Sequence, residues 1–167
     1  MSTSLFDFAD AALTAMPYLI VMPLVMPAIA AALILVTGKH VQVQRAIALL
    51  TLFALAVIAG TMIIVADVHG IQTVQMGGWD APIGITLVAD RLSTIMLFVS
   101  AIVLFAVMWY GISQGLRDGD DDDPVAVFLP IYMLLCLGVN LSFLAGDLFN
   151  LYVGFEVFLV ASYVLLT

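Results

Sequence analysis

The sequence predicts an all-α fold class, a polytopic membrane bundle of about five transmembrane helices with a short glycine-rich extramembrane hairpin or loop between helices 2 and 3. Hydrophobic residues make up 65 % of the 167 residues, whereas soluble domains average about 45–50 %. The mean hydropathy is +1.24. The apolar residues fall in long uncharged runs, and a helix that crosses a bilayer core needs about 20 such residues.

Charge and cysteine content exclude several function classes. The net charge is −8, with only four Lys and Arg residues, whereas nucleic acids and anionic lipid surfaces are bound by clustered basic side chains. We therefore expect no nucleic-acid partner. Cys136 is the single cysteine, and His40 and His69 have no Cys or His at ligand spacing, so the sequence predicts no metal site and no cofactor.

Three segments are predicted along the chain. Residues 1–16 are expected to form an N-terminal interfacial segment, a short helix with Ser4 as its cap. No basic residue precedes its apolar residues, so it lacks the positive region of a cleaved signal peptide and should stay in the mature chain. Residues 17–124 hold the first three transmembrane helices around an extramembrane loop at 67–91, and residues 125–167 hold helices 4 and 5.

The first two transmembrane helices are predicted from uncharged stretches. Tyr18–Thr37 is the first, and its Pro23 and Pro27 are tolerated in a membrane helix, where they favour a bend. The second runs from about Ala46 to Ala66, where Asp67 is expected to end it.

Glycine and proline interrupt the apolar pattern at 67–91. The β-branched residues of Ile71–Met76 and Ile83–Val88 flank a glycine and proline turn, which predicts a small hairpin outside the membrane. Asp90 is the expected N-cap of the third transmembrane helix, Leu92–Ile112.

The acidic stretch at 115–124 begins like a calcium loop but lacks the glycine and glutamate that such a loop needs. We expect a solvated loop in which Asp123 caps the fourth transmembrane helix, Val125–Leu144. The fifth helix, Leu148–Thr167, follows after three residues, so helices 4 and 5 should form an antiparallel helical hairpin with Asp147 as the second cap.

Glu156 is the only glutamate and the first candidate for function. It lies roughly 12 Å into the fifth helix, near the middle of the membrane. An ionisable group there costs on the order of 2.5–3.5 kcal/mol and normally faces a protein interior or a water-filled cavity. Tyr152 and Tyr163 lie within about 40° of its direction on the helix, and Asn150 and Asn140 add polar groups to the same helical hairpin. These four residues are predicted to support Glu156 in proton transfer.

A carboxyl group that a lysine approaches and leaves can release and recapture a proton. No predicted transmembrane helix contains a lysine, and Lys39 lies at a membrane end, so the cation must come from elsewhere. The alternative is that Glu156 makes one buried polar contact that only fixes helix packing.

Basic residues predict the orientation. Lys39, Arg45 and Arg117 follow the first and third helices, and Arg91 alone lies on the other side. Because cytoplasmic loops carry the excess of Lys and Arg, the N-terminus and the glycine-rich loop are expected on the non-cytoplasmic side.

Two separated motifs carry a family resemblance. GDLFNLYVGFEVFLVASYVLL, at 146–166, resembles the fifth-helix signature of the antiporter-like membrane subunits shared by Mrp-type multisubunit cation/proton antiporters, respiratory complex I and membrane-bound hydrogenases. GGWDAPIGITLVADRLS, at 77–93, is similar to the D subunit of the Mrp-type group. The resemblance covers about residues 17–167.

The resemblance implies a hetero-oligomer of membrane subunits, multi-pass in the cell membrane, that exchanges cytoplasmic Na⁺ for external H⁺. It implies that the glutamate at the Glu156 position is essential for translocation and works with a lysine on a later helix. Family members have more transmembrane helices, in two inverted repeats, of which the first begins at residues 125–167. The chain is thus expected to be the N-terminal portion of such a subunit, a fragment or a split subunit. The alternatives are an antiporter-like subunit of complex I or a hydrogenase, and a structural membrane module without its own ion path.

Overall fold

The computed structural model describes residues 3–38, 40–76, 84–114 and 127–166. Helices dominate these residues, as the predicted fold class requires, and the two strands are four residues each. The elements in chain order are α1 Thr3–Leu13, α2 Met16–Thr37, α3 Val41–His69, β1 Gln72–Gln75, β2 Thr86–Ala89, α4 Arg91–Ser113, α5 Phe128–Leu144 and α6 Leu148–Leu166.

Helices α2, α3, α4 and α6 are long and apolar enough to cross a membrane. Helix α5 is apolar throughout but has 17 residues, which span about 25 Å at 1.5 Å per residue. It begins at Phe128, three residues after the predicted start. Asp123, its predicted cap, and the acidic stretch at 115–124 lie outside the described residues.

The helices pack around two hydrophobic clusters. One joins α2, α3, α4 and α5 and includes Ile34, Leu52, Met108 and Met133. The other lies under the hairpin and joins the opposite ends of these helices to β2. Its fully buried members are Ile20, Met62, Val65, Leu87, Ala89 and Leu144. Helix α5 packs against both α2 and α6.

Two predicted boundaries were wrong at the hairpin side of the bundle. Helix α3 does not end at Asp67 but continues to His69. The Asp67 carboxylate is exposed and accepts from Arg91 at 2.9 Å, so its charge is paired without breaking the helix. Helix α1 begins at Thr3, before the predicted cap Ser4. Its Asp10 Oδ1 lies 3.0 Å from Nε2 of His69, at the end of α3.

The predicted hairpin is confirmed. Strands β1 and β2 pair antiparallel, with Gln72 opposite Ala89, and the glycine and proline turn at 77–83 lies outside the described residues. The connection between α5 and α6 is hydrogen-bonded to the free edge of β2. The Gly146 N–H donates to the Thr86 carbonyl at 2.8 Å, and Leu87 forms an isolated β-bridge with Ala145. The hairpin and this connection thus lie at the same end of the bundle.

Both predicted carboxylate caps at this end are confirmed. Asp90 Oδ1 accepts from the Ser93 N–H at 2.6 Å, and Ser93 Oγ accepts from the Asp90 N–H at 2.9 Å, which closes a capping box. Asp147 Oδ1 accepts from the Asn150 N–H at 2.8 Å. The backbone N–H of Ser93 lowers the pKa of Asp90, and that of Asn150 lowers the pKa of Asp147, because each stabilises the ionised carboxylate.

Candidate functional site

Two glycines bring α5 and α6 into backbone contact. A Cβ at Gly138 would lie 2.5 Å from the backbone nitrogen of Phe158, and a Cβ at Gly154 would lie 2.8 Å from Ser142 Oγ. Such distances leave no room for a side chain, so both positions require glycine for this approach. The contact fixes which face of α6 meets α5.

Glu156 follows Gly154 by two residues, which turns it about 200° around the helix from the tight contact. Its side chain is exposed in the described part of the chain, so the interior position expected for it is not formed by these residues alone. It borders a groove of about 300 Å³ between α5 and α6. The other residues of this Glu156 groove are apolar: Ile131, Leu134, Val157, Val160, Ala161 and Val164.

Tyr152 is the predicted supporting residue that the structure brings to Glu156. Its hydroxyl interacts with the Glu156 carboxyl, one helical turn away. Tyr163 lies seven residues after Glu156, about 10 Å along the helix axis, so its hydroxyl is beyond hydrogen-bond reach of the Glu156 carboxyl. It lies on the exposed surface beside a second groove, with Leu159 and Ser162. Only one of the two phenols therefore contacts the carboxyl.

Asn150 belongs to the start of α6 and not to the Glu156 groove. It is 5 % exposed, and its side-chain amide donates to the second oxygen of Asp147. Its role in the structure is to hold the capping carboxylate in place.

Asn140 is also directed elsewhere. It is 3 % exposed, and its Nδ2 donates to the Pro23 carbonyl at 2.9 Å, from α5 to α2. Pro27 lacks the N–H that would otherwise bond this carbonyl within the helix. Sequence reasoning missed this pairing, although two prolines four residues apart and a lone Asn in an apolar helix were the signal.

Among the residues that the structure describes, no three His, Cys, Asp or Glu side chains come together in a way that would hold a metal ion. The two histidines lie at opposite ends of α3. His69 pairs with Asp10, and the His40 ring Nδ1 lies 3.3 Å from the Thr37 carbonyl oxygen. At the Glu156 groove, the described residues offer one carboxyl group beside a phenol in an apolar setting.

The fold of this chain is similar to that of chains in two membrane complexes of known structure. The chain matches a chain of the Mrp complex from Dietzia sp. with a TM-score of 0.78 at 21 % identity, over 87 % of this chain and 27 % of that one. It matches a chain of the membrane-bound sulfane sulfur reductase, an archaeal respiratory membrane complex, with a TM-score of 0.72 at 23 % identity, over 87 % and 29 %. The described helices thus share the fold of part of one chain in each of these two membrane complexes.

Sequence comparison narrows the class. No family model matches the chain. It is 33 % identical to the D subunit of the Na⁺/H⁺ antiporter of Alkalihalophilus pseudofirmus, over 89 % of this chain and 29 % of the relative. It is 35 % identical to a protein of Staphylococcus epidermidis described as antiporter subunit mnhD2, over 91 % and 30 %. The chain thus matches the D subunits of Mrp-type antiporters, as its motifs predicted, and spans about 30 % of the length of these curated relatives.

Proposed function

We propose that this chain is part of a membrane subunit of a multisubunit cation/proton antiporter that exchanges cytoplasmic Na⁺ for external H⁺. Within it, Glu156 is the intramembrane proton-transfer residue. The observation that carries the proposal is the position of the Glu156 carboxyl, beside Tyr152 and an apolar groove in a helix long enough to span the membrane. Similarity to the D subunits of antiporters supports the reaction class.

The exposed position of Glu156 bears on the rest of the assembly. A carboxyl group at this depth in lipid is costly, and such groups face a protein interior or an aqueous cavity. Since the chain spans about 30 % of the length of its relatives, we infer that further helices cover this face of α6. The described helices contain no lysine, and a lysine on one of these further helices would supply the cation near Glu156, as the resemblance implies.

The proposed orientation has the N-terminus, the hairpin and the connection between α5 and α6 on the non-cytoplasmic side. Arg91 is the basic residue at that end, where it pairs with Asp67. Arg45, near the start of α3, belongs to the opposite end, which is expected to face the cytoplasm.

The decisive experiment replaces Glu156 by Gln in the complete complex and measures Na⁺-dependent proton flux in membrane vesicles. The substitution keeps the size and the hydrogen-bonding capacity of the side chain but removes the proton that is transferred, so we expect flux to fall to background while the complex still assembles. Ser162→Ala, on the same helix, is the matched control and should leave flux unchanged. Normal flux with Glu156→Gln would assign the chain a structural role.

A redox-driven complex is the second candidate, because the fold also matches the archaeal respiratory complex with a TM-score of 0.72. Purification from native membranes separates the two candidates. Small membrane subunits without flavin or iron-sulfur proteins would support the antiporter, and hydrophilic redox subunits would support the respiratory complex.

A further inference from the structure

Helix α2 has an interrupted hydrogen-bond ladder in its buried part. Pro27 has no N–H to donate to the carbonyl of Pro23, four residues before it. Both prolines are buried inside the helix. The hydrocarbon core of a membrane holds no water that could donate to an unpaired backbone carbonyl. Such a carbonyl is therefore unfavourable unless another protein group donates to it.

Helix α5 supplies that donor. Asn140 Nδ2 lies 2.9 Å from the Pro23 carbonyl oxygen, in a bond between residues 117 positions apart in sequence. Cys136, one turn earlier on the same face of α5, is fully buried, and its sulfur lies 3.6 Å from the same Nδ2. The proline-freed carbonyl and the Asn amide therefore join two helices at a place that water does not reach.

The same helix also forms one wall of the Glu156 groove. Ile131 and Leu134 line the groove, and Gly138 lies against the backbone of α6. Helix α5 is a rigid element, so its hydrogen bond to α2 on one side also determines the position at which its other side contacts α6.

We propose that Pro23, Pro27 and Asn140 form a clamp that fastens α5 to α2 and makes Asn140 a positioning residue for the Glu156 groove. The consequence for transport rests on the proposed function. The clamp itself does not, since it is defined by the contact between α2 and α5.

The test is a double-mutant cycle in the complete complex, read out by alkylation of Cys136 with N-ethylmaleimide and mapped by peptide mass spectrometry. Asn140→Leu keeps the side-chain size but removes the donor, so α2 and α5 should separate more often and Cys136 should react about three- to tenfold faster. Pro27→Ala restores an N–H that bonds the Pro23 carbonyl within α2. In that background Asn140→Leu should change the alkylation rate less than twofold.

An equal effect of Asn140→Leu in both backgrounds, or no effect in either, would overturn the clamp. If Asn140→Leu prevents assembly of the complex, recovery of assembly by Pro27→Ala supports the clamp, and failure to recover overturns it. The proposed function is judged separately: loss of flux with Glu156→Gln but not with Asn140→Leu would retain the transport role of Glu156 and remove the positioning role of Asn140.

Discussion

The Tyr152 hydroxyl interacts with the carboxyl of Glu156, four residues further along α6. Both side chains are exposed in the described part of the chain. The phenol offers the carboxyl a hydrogen-bond donor beside the Glu156 groove.

Tyr152→Phe should slow transport without abolishing it. The substitution removes the hydroxyl and keeps the ring, and loss of this hydrogen-bonding partner of the carboxyl should lower the rate of Na⁺-dependent proton flux about tenfold. Tyr163→Phe on the same helix is the matched control, because that hydroxyl lies beyond reach of Glu156 and its loss should change flux less than about twofold. Equal effects of the two substitutions would remove Tyr152 from the site.

Glycine positions should differ sharply in their tolerance of a methyl group. Gly138→Ala places a Cβ 2.5 Å from the Phe158 nitrogen, whereas Gly60→Ala places one 3.5 Å from the Phe98 ring, an ordinary contact. We expect Gly138→Ala to cost about 1–3 kcal/mol through overpacking. Gly60→Ala should be neutral or slightly stabilising, because alanine is the better helix former by about 1 kcal/mol. Thermal unfolding of the purified complex in detergent measures both, and similar unfolding temperatures would contradict the tight crossing.

The capping box at Asp90 predicts a pH-dependent contribution to stability. Asp90→Ala should cost about 1 kcal/mol near neutral pH. Since the pKa of Asp90 is lower in the folded protein than its unfolded value of about 4, the contribution is fully present above that value. It is lost as the pH falls through the folded-state pKa.

Thermal unfolding of wild type and Asp90→Ala between pH 7 and pH 3 measures this loss. The difference between their unfolding temperatures should become smaller as the pH falls. Asp90→Asn is the control, because asparagine also caps helices but does not titrate in this range. A difference between wild type and Asp90→Ala that stays constant down to pH 3 would show that the ionised carboxylate does not stabilise α4.

The proposed orientation predicts opposite labelling at the two ends of the bundle. Thr73→Cys, exposed on β1, should react with a membrane-impermeant maleimide in intact cells. Gln114→Cys, exposed just after α4, should react only once the membrane is permeabilised. Cys136 is buried and adds little background. The reverse pattern would invert the topology.

The sequence predicts well what local chemistry determines. The uncharged runs locate the transmembrane helices, and the carboxylates Asp90 and Asp147 mark two helix starts, because capping involves residues within three positions of each other. Asp67 was misjudged by the same local reasoning, since its charge is paired by Arg91, a residue that is distant in sequence.

The candidate site depends on contacts that no local pattern contains. Hydropathy places Glu156 within a helix long enough to span a membrane. Helical periodicity brings both Tyr152 and Tyr163 to its side of the helix, but Tyr163 lies about 10 Å away along the axis. The structure directs the side chains of Asn140 and Asn150 to partners other than Glu156 for another reason. A buried amide bonds whichever donor or acceptor the fold leaves unpaired, and the unpaired groups here are a carbonyl in α2 and a capping carboxylate.

The bond from Asn140 to Pro23 also has a consequence for biogenesis. Its two partners are separated by 117 residues, and synthesis proceeds at about 5–20 residues per second. Asn140 is therefore synthesised on the order of 10 s after Pro23, and the hydrogen bond cannot form before then. Lateral assembly of the first transmembrane segment with the fourth is therefore a late event. Defects at Asn140 should accordingly appear as slow maturation of an already inserted polypeptide.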